Sequence, residues 1–157
     1  MEKLSFFGVG PKIARIAIPF LIIAIVLTVL YPGIFTFGEN AQKPLLFAGI
    51  VLLAIAIVFY IATLSVLVPG IRENRLVTGG VFRLCQNPLY AALLLFLIPG
   101  LGLVLNSWII PLTSLLGALA FRKFIHEEEE LLERLFGDEY RHYRDQTSFF
   151  FPNPFRK

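Results

Sequence analysis

LLFAGIVLLAIAIVFYIATLSVLV, residues 45–68, runs for 24 residues without a charge. A helix that crosses a bilayer needs about 20 mostly apolar residues, so this stretch reads as a membrane span. Pro69 and Gly70 follow it and predict its end, since proline does not continue a helix and glycine suits the turn. Similar runs flank it. Residues 13–30 (IARIAIPFLIIAIVLTVL) form one, with Arg15 close enough to its start to snorkel to the headgroups. A signal peptide is the rival reading there, but no A-x-A cleavage site follows. Residues 89–105 and 108–124 form two more, separated only by Asn106 and Ser107. That spacing predicts a tight helical hairpin, broken in its first member at Pro99–Gly100 and anchored at its second by Trp108, an interfacial residue.

Composition agrees. The 157-residue chain is 57% hydrophobic and 16% charged, against about 25% charged in soluble domains. This excludes a disordered chain, a nucleic-acid binder and most soluble folds. One Cys excludes a disulfide framework. The expected fold is an all-α integral membrane protein, a single domain over 1–157 with about four transmembrane helices. Lys3, Lys12 and Arg15 precede or open the first span, Arg72, Arg75 and Arg83 follow the second, and Arg122 and Lys123 close the fourth. Basic loops stay cytoplasmic, so a multi-pass protein with both termini cytoplasmic is expected. No internal repeat or low-complexity tract is present.

Two polar islands remain, residues 72–90 and 125–154. In the second, HEEEELLERLFGDEYRHYRD (126–145) places apolar residues three and four apart and reads as an amphipathic helix, with Gly137 as a candidate terminator. The consecutive acids Glu127, Glu128, Glu129 and Glu130 cover a full turn. At least one must face the bundle, where a carboxylate needs a cationic partner or ligand. The tail 148–157 (SFFFPNPFRK) brings Phe149, Phe150 and Phe151 back to the membrane interface, kept from helix by Pro152 and Pro154. In the first island, Gly79–Gly80 permits a sharp turn, and Asn87–Pro88 predicts an Asn-capped helix start.

Together the islands resemble a known signature. LVTGGVFRLCQNPLY (76–90) is similar to the motif L-V-x-x-G-x-[YF]-R-x-x-R-[HN]-P-x-Y of the isoprenylcysteine carboxyl methyltransferases and phospholipid methyltransferases. After the hairpin, Glu128–Glu129, Leu132, Phe136–Gly137, Glu139–Tyr140 and Tyr143 match their second motif, ending at Phe151–Pro152. The resemblance covers about residues 45–154. It implies methyl transfer from S-adenosylmethionine to a lipophilic or lipid acceptor, a carboxylate, amine or thiol. It implies cofactor contacts at Arg75, Leu76, Val77, Phe82, Asn87, Pro88, Leu89, Tyr90, Glu128 and Glu129, with Glu128 also on the substrate side. Glu128 or Glu129 would pair with the cofactor ammonium, and Phe82 and Tyr90 would offer ring faces to adenine or the sulfonium. Backbone groups near Gly79 and Gly80 would meet adenosine's polar edges.

The chain departs from the pattern at Gln86 and Phe149, where Arg is usual, and at Phe124, where the carboxyl methyltransferase branch has Arg. Ala92 replaces a frequent Gly. His126 and His142 lack the spacing of a zinc site, so no metal is expected, and Cys85 reads as a small packing residue. The expected partners are the bilayer and a lipophilic substrate, not nucleic acid. The alternative is a non-enzymatic membrane assembly or carrier protein of the same fold.

Overall fold

The computed structural model describes residues 8–151, and among these it is helical, with no strand beyond an isolated bridge between Thr36 and Ser107. Helix α1 is Gly10–Leu30 and the short α2 is Pro32–Phe35. Helix α3 is Glu39–Arg72, α4 is Pro88–Val104, α5 is Ile109–Phe136 and α6 is Asp138–Gln146. Helices α1, α3 and α5 are long and apolar enough to cross a membrane, whereas α4 is a shorter apolar helix. This is an all-α membrane fold. Pro152 and Pro154 lie outside the described residues.

The bundle packs through small residues. The buried positions of α3 are Gly49, Ala56, Thr63 and Gly70, one every seventh residue. Such a stripe brings backbones close, which matters in lipid, where apolar surface alone gives helices no reason to associate. A Cβ on Gly49 would stand 2.8 Å from the Gly100 carbonyl oxygen, so α3 and α4 cross nearly backbone to backbone. Large apolar residues such as Ile22, Phe47, Val58 and Leu119 instead face outward, toward the lipid chains.

Several expected boundaries shift. Pro69 and Gly70 do not end α3, which runs on to Arg72 with Pro69 inside it. Pro99 does not break α4. The stretch Ala92–Leu97 just before it is π-helical, and this wider turn absorbs the proline that would strain a regular α-helix. The fourth span and the amphipathic segment are one continuous helix, α5, because a change from apolar to charged side chains does not interrupt its backbone hydrogen bonds. Gly137 does terminate it, in the left-handed region at φ 51°.

The segments sort to two ends of the bundle. At one, Trp108 Nε1 donates to the Ile34 carbonyl at 2.9 Å and the Phe37 amide to the Asn106 carbonyl at 3.1 Å. At the other, the start of α1, the 73–87 connection and the segments after residue 125 meet. Gln86 fastens them. Its amide NH2 donates to the carbonyls of Arg144 and Thr147 at 2.9 and 2.7 Å, and its backbone amide to that of Ser148 at 2.8 Å. Phe150 is thereby buried against Phe121, while Phe151 stays exposed.

Candidate functional site

The acids of α5 divide by helical phase. The Glu127 and Glu130 side chains are more than half exposed, whereas that of Glu129 is 20% exposed. Glu128 turns into the bundle. Its Oε2 accepts the Val9 amide at 3.2 Å and the Tyr90 hydroxyl at 3.3 Å. Burial raises its affinity for a proton above that of an ordinary carboxyl, those two hydrogen bonds oppose the shift, and the neighbouring charge of Glu129 adds to it. Glu129 pairs with His126 at 3.1 Å.

Glu128 and Glu129 line one wall of a cavity at this end of the bundle. Arg75, Leu76, Val77, Phe82 and Asn87 line the same cavity from the 73–87 connection. A smaller cavity of about 400 Å3 adjoins it, sharing Phe82, Asn87 and Glu128 and adding Pro88, Leu89 and Tyr90. The structure thus brings Arg75, Leu76, Val77, Phe82, Asn87, Pro88, Leu89, Tyr90, Glu128 and Glu129 around two adjoining spaces, with Glu128 lining both.

Some local expectations change. Asn87 does not cap α4; its side-chain NH2 donates instead to the Phe149 carbonyl at 2.9 Å. One face of the Tyr90 ring packs on Phe121, centroid to centroid 4.8 Å, so this ring serves the core while its hydroxyl serves the acid. Gly79 and Gly80 line neither cavity; a Cβ on Gly80, which sits at φ 60°, would press on Val66. Cys85 is fully buried, and burial lifts its thiol to a pKa of about 11, as suits a packing residue. Among the described residues no cluster of His, Cys, Asp and Glu is arranged to hold a metal.

Other lining residues are not among the expected cofactor contacts. Leu67 and Ile71 come from α3, Ile125 and Leu132 from α5, and Tyr140 and Tyr143 from α6. The Tyr143 hydroxyl donates to the Phe82 carbonyl at 2.8 Å, tying α6 to the Gly80–Arg83 turn. Both tyrosines stand at motif positions, which was a usable signal. Gly8 and Val9 carry no such signal. Gln86 lines both cavities, and its side-chain oxygen is buried without a hydrogen-bond partner among the described residues.

A third, mostly apolar cleft opens between α4 and α5. Leu94, Leu115, Ala118 and Phe150 line it, with Arg122 among the lining residues and exposed. Phe121 also lines this cleft and packs at a tilt against Tyr90, whose hydroxyl reaches the acid.

The family model for phospholipid methyltransferase matches residues 41–139. The chain belongs to that family. The match spans α3, the 73–87 connection, α4 and α5, the elements that supply most of both cavities. It begins after α1, so Gly8 and Val9 lie outside it. A comparison with curated proteins finds no match. Membership in a methyltransferase family and helices suited to a bilayer together describe a membrane protein of a methyltransferase family.

Proposed function

We propose that this phospholipid methyltransferase family member transfers a methyl group from S-adenosylmethionine to a lipophilic acceptor reached from the bilayer. The observation that carries this reading is the convergence of Arg75, Glu128 and Glu129 with apolar walls on one cavity at the bundle end. A zwitterionic amino-acid chain attached to a nucleoside needs that mixture. Arg75 supplies a cation for its carboxylate, and Glu129 or Glu128 an anion for its ammonium. Leu76, Val77 and Phe82 supply apolar surface, and the unpartnered Gln86 oxygen an acceptor for an N–H group.

When bound, S-adenosylmethionine supplies an electrophilic methyl on a sulfonium, which takes the carbon–sulfur electron pair and leaves as a thioether. The chain's residues hold and orient the reactants, a contribution worth up to about 7–11 kcal/mol of barrier. Glu128, at the junction of the two cavities, is placed to take the proton an amine or thiol acceptor must shed. A carboxylate acceptor would meet Glu128 as a like charge, which favours an amine or thiol. The apolar cleft between α4 and α5 offers a route for the acceptor's hydrocarbon part.

The detergent-solubilised protein is expected to bind S-adenosylhomocysteine in the micromolar range, about −8 kcal/mol, and to melt higher with it present. It is also expected to transfer labelled methyl from S-adenosylmethionine into a lipid extract. Absence of both heat and thermal shift at millimolar ligand would favour the non-enzymatic alternative.

A further inference from the structure

Gly8 and Val9 precede α1, outside the stretch that carries the family match, yet they touch the acid at the centre of the site. The Val9 amide donates to Glu128 Oε2. Val9 is 4% exposed and packs in the core with Ile13 and Tyr90. Gly8 lines the smaller cavity beside Glu128 and holds a left-handed conformation at φ 43°. A Cβ there would collide with Glu128 Oε2 and stand 2.8 Å from its carboxyl carbon. One turn on, Lys12 pairs with Glu127 and lies over the Phe124 ring, an exposed contact beside the same face of α5.

From this geometry we infer that the Gly8–Val9 turn is a positioning element of the site: with Tyr90 it clamps Oε2 of Glu128 and leaves Oε1 to meet the bound reactant. No hydrogen bond to Oε1 is present among the described residues, whereas Oε2 has two. An N–H donor of a bound cation or amine thus finds one oxygen already aimed. A side chain at position 8 would press on the carboxyl and push it from this place. The inference rests on the reading of the cavity as a methyl-transfer site for the reactant, but the clamp itself is a property of the unliganded protein.

The test therefore uses two readouts. Replacing the Gly8–Val9 peptide bond by an ester removes the Val9 N–H and leaves every side chain in place. The groups facing the Glu128 carboxyl are Tyr90 of α4, Glu129 on its own helix and Tyr140 of α6. None of these is altered by the ester. The carboxyl 13C titration of Glu128 in unliganded protein, assigned by its loss in Glu128→Gln, should move to higher pH in the ester protein. Gly8→Asn is the second variant. Asn tolerates positive φ, so it tests the collision rather than backbone strain. It should weaken S-adenosylhomocysteine binding by about tenfold or more, the scale of a hydrogen bond to a charged group.

In a Glu128→Asp background, where the acid is one methylene shorter, the same change at Gly8 should cost much less. Gly33→Ala, at a glycine with open space around it, is the control and should be silent. An unshifted titration in the ester protein overturns the clamp whatever the ligand data show. If wild type and Gly8→Asn bind equally while Glu128→Gln binds weakly, the clamp fails and the site stands. If wild type itself does not bind, the methyl-transfer reading fails, and the titration still decides the clamp.

Discussion

Four adjacent glutamates make a controlled experiment at the scale of one residue. Glu127 and Glu130 face solvent, so Gln at either should change ligand affinity little, as surface substitutions usually fall within about 0.5 kcal/mol. Gln in place of Glu128 or Glu129 should cost about 1.5–3 kcal/mol of S-adenosylhomocysteine affinity, the worth of a hydrogen bond to a charged group. Equal affinity across all four variants would remove α5 from the site. The unliganded protein gives a separate pH test. Burial, the largest cause, raises the Glu128 carboxyl above its ordinary 4.5, so the folded chain holds that proton more tightly than the unfolded one. The stability this contributes is full below the unfolded value and is lost as pH rises through the folded value. In the Glu128→Gln variant the new amide oxygen could still accept from Val9 and Tyr90, without a buried charge. That variant should therefore melt at least as high as wild type at pH 8, with any gain fading below pH 4.5. A variant that melts several degrees lower at pH 8 would show that the charge itself supports the fold.

At the scale of elements, composition revealed which stretches are helical but not where helices join. Residues 45–68 and 13–30 announced spans because lipid tolerates only structures that satisfy their own backbone, which leaves helix as the reading of a long apolar run. The seven-residue spacing of Gly49, Ala56, Thr63 and Gly70 goes unread there, since only packing shows it to be the buried face of α3. The continuity of α5 through Ile125 was hidden, because hydropathy changes there while backbone bonding does not. Asn87 looked like a cap by its type, yet tertiary structure offered its side chain the Phe149 carbonyl instead. Gln86 looked like a mere departure, and it proves to hold the segment after α6 against the turn. Gln86→Ala would remove both side-chain donations to the Arg144 and Thr147 carbonyls. An expected cost of about 1–3 kcal/mol follows from leaving such carbonyls short of a donor. Limited proteolysis should then cut faster around residues 144–149, and the burial of Phe150 should loosen. An unchanged cleavage pattern would mean that the backbone bond from Gln86 to Ser148 suffices alone.

For the whole molecule, the motifs made most of the site legible: residues from 75 to 90 and from 128 to 143, nearly forty positions apart, converge because α4 and α5 form a hairpin that returns to its starting level. What no motif could show is that the turn before α1 meets the same cavity, since Gly8 and Val9 touch Glu128 through a backbone amide and a missing side chain. The contact does bear on topology. It places the start of α1 at the bundle end that also holds Arg75, Arg83 and the row of acids, with the 31–38 and 105–108 turns at the other end. Basic residues concentrate at the first end, and such segments stay cytoplasmic, so both ends of the chain are expected inside and the 31–38 turn outside. Cysteine accessibility tests this directly, because the native Cys85 is fully buried with its thiol pKa raised to about 11. Wild type should therefore resist a membrane-impermeant maleimide. Glu39→Cys, at the exposed start of α3, should label on intact cells. Gln146→Cys, exposed at the end of α6, should label only after the membrane is opened. The opposite pattern would invert the orientation while leaving the fold intact. Labelling of both on intact cells would mean that the two bundle ends do not lie on opposite sides of the bilayer, and that one of the four apolar helices does not cross; α4, the shortest, is the first to suspect.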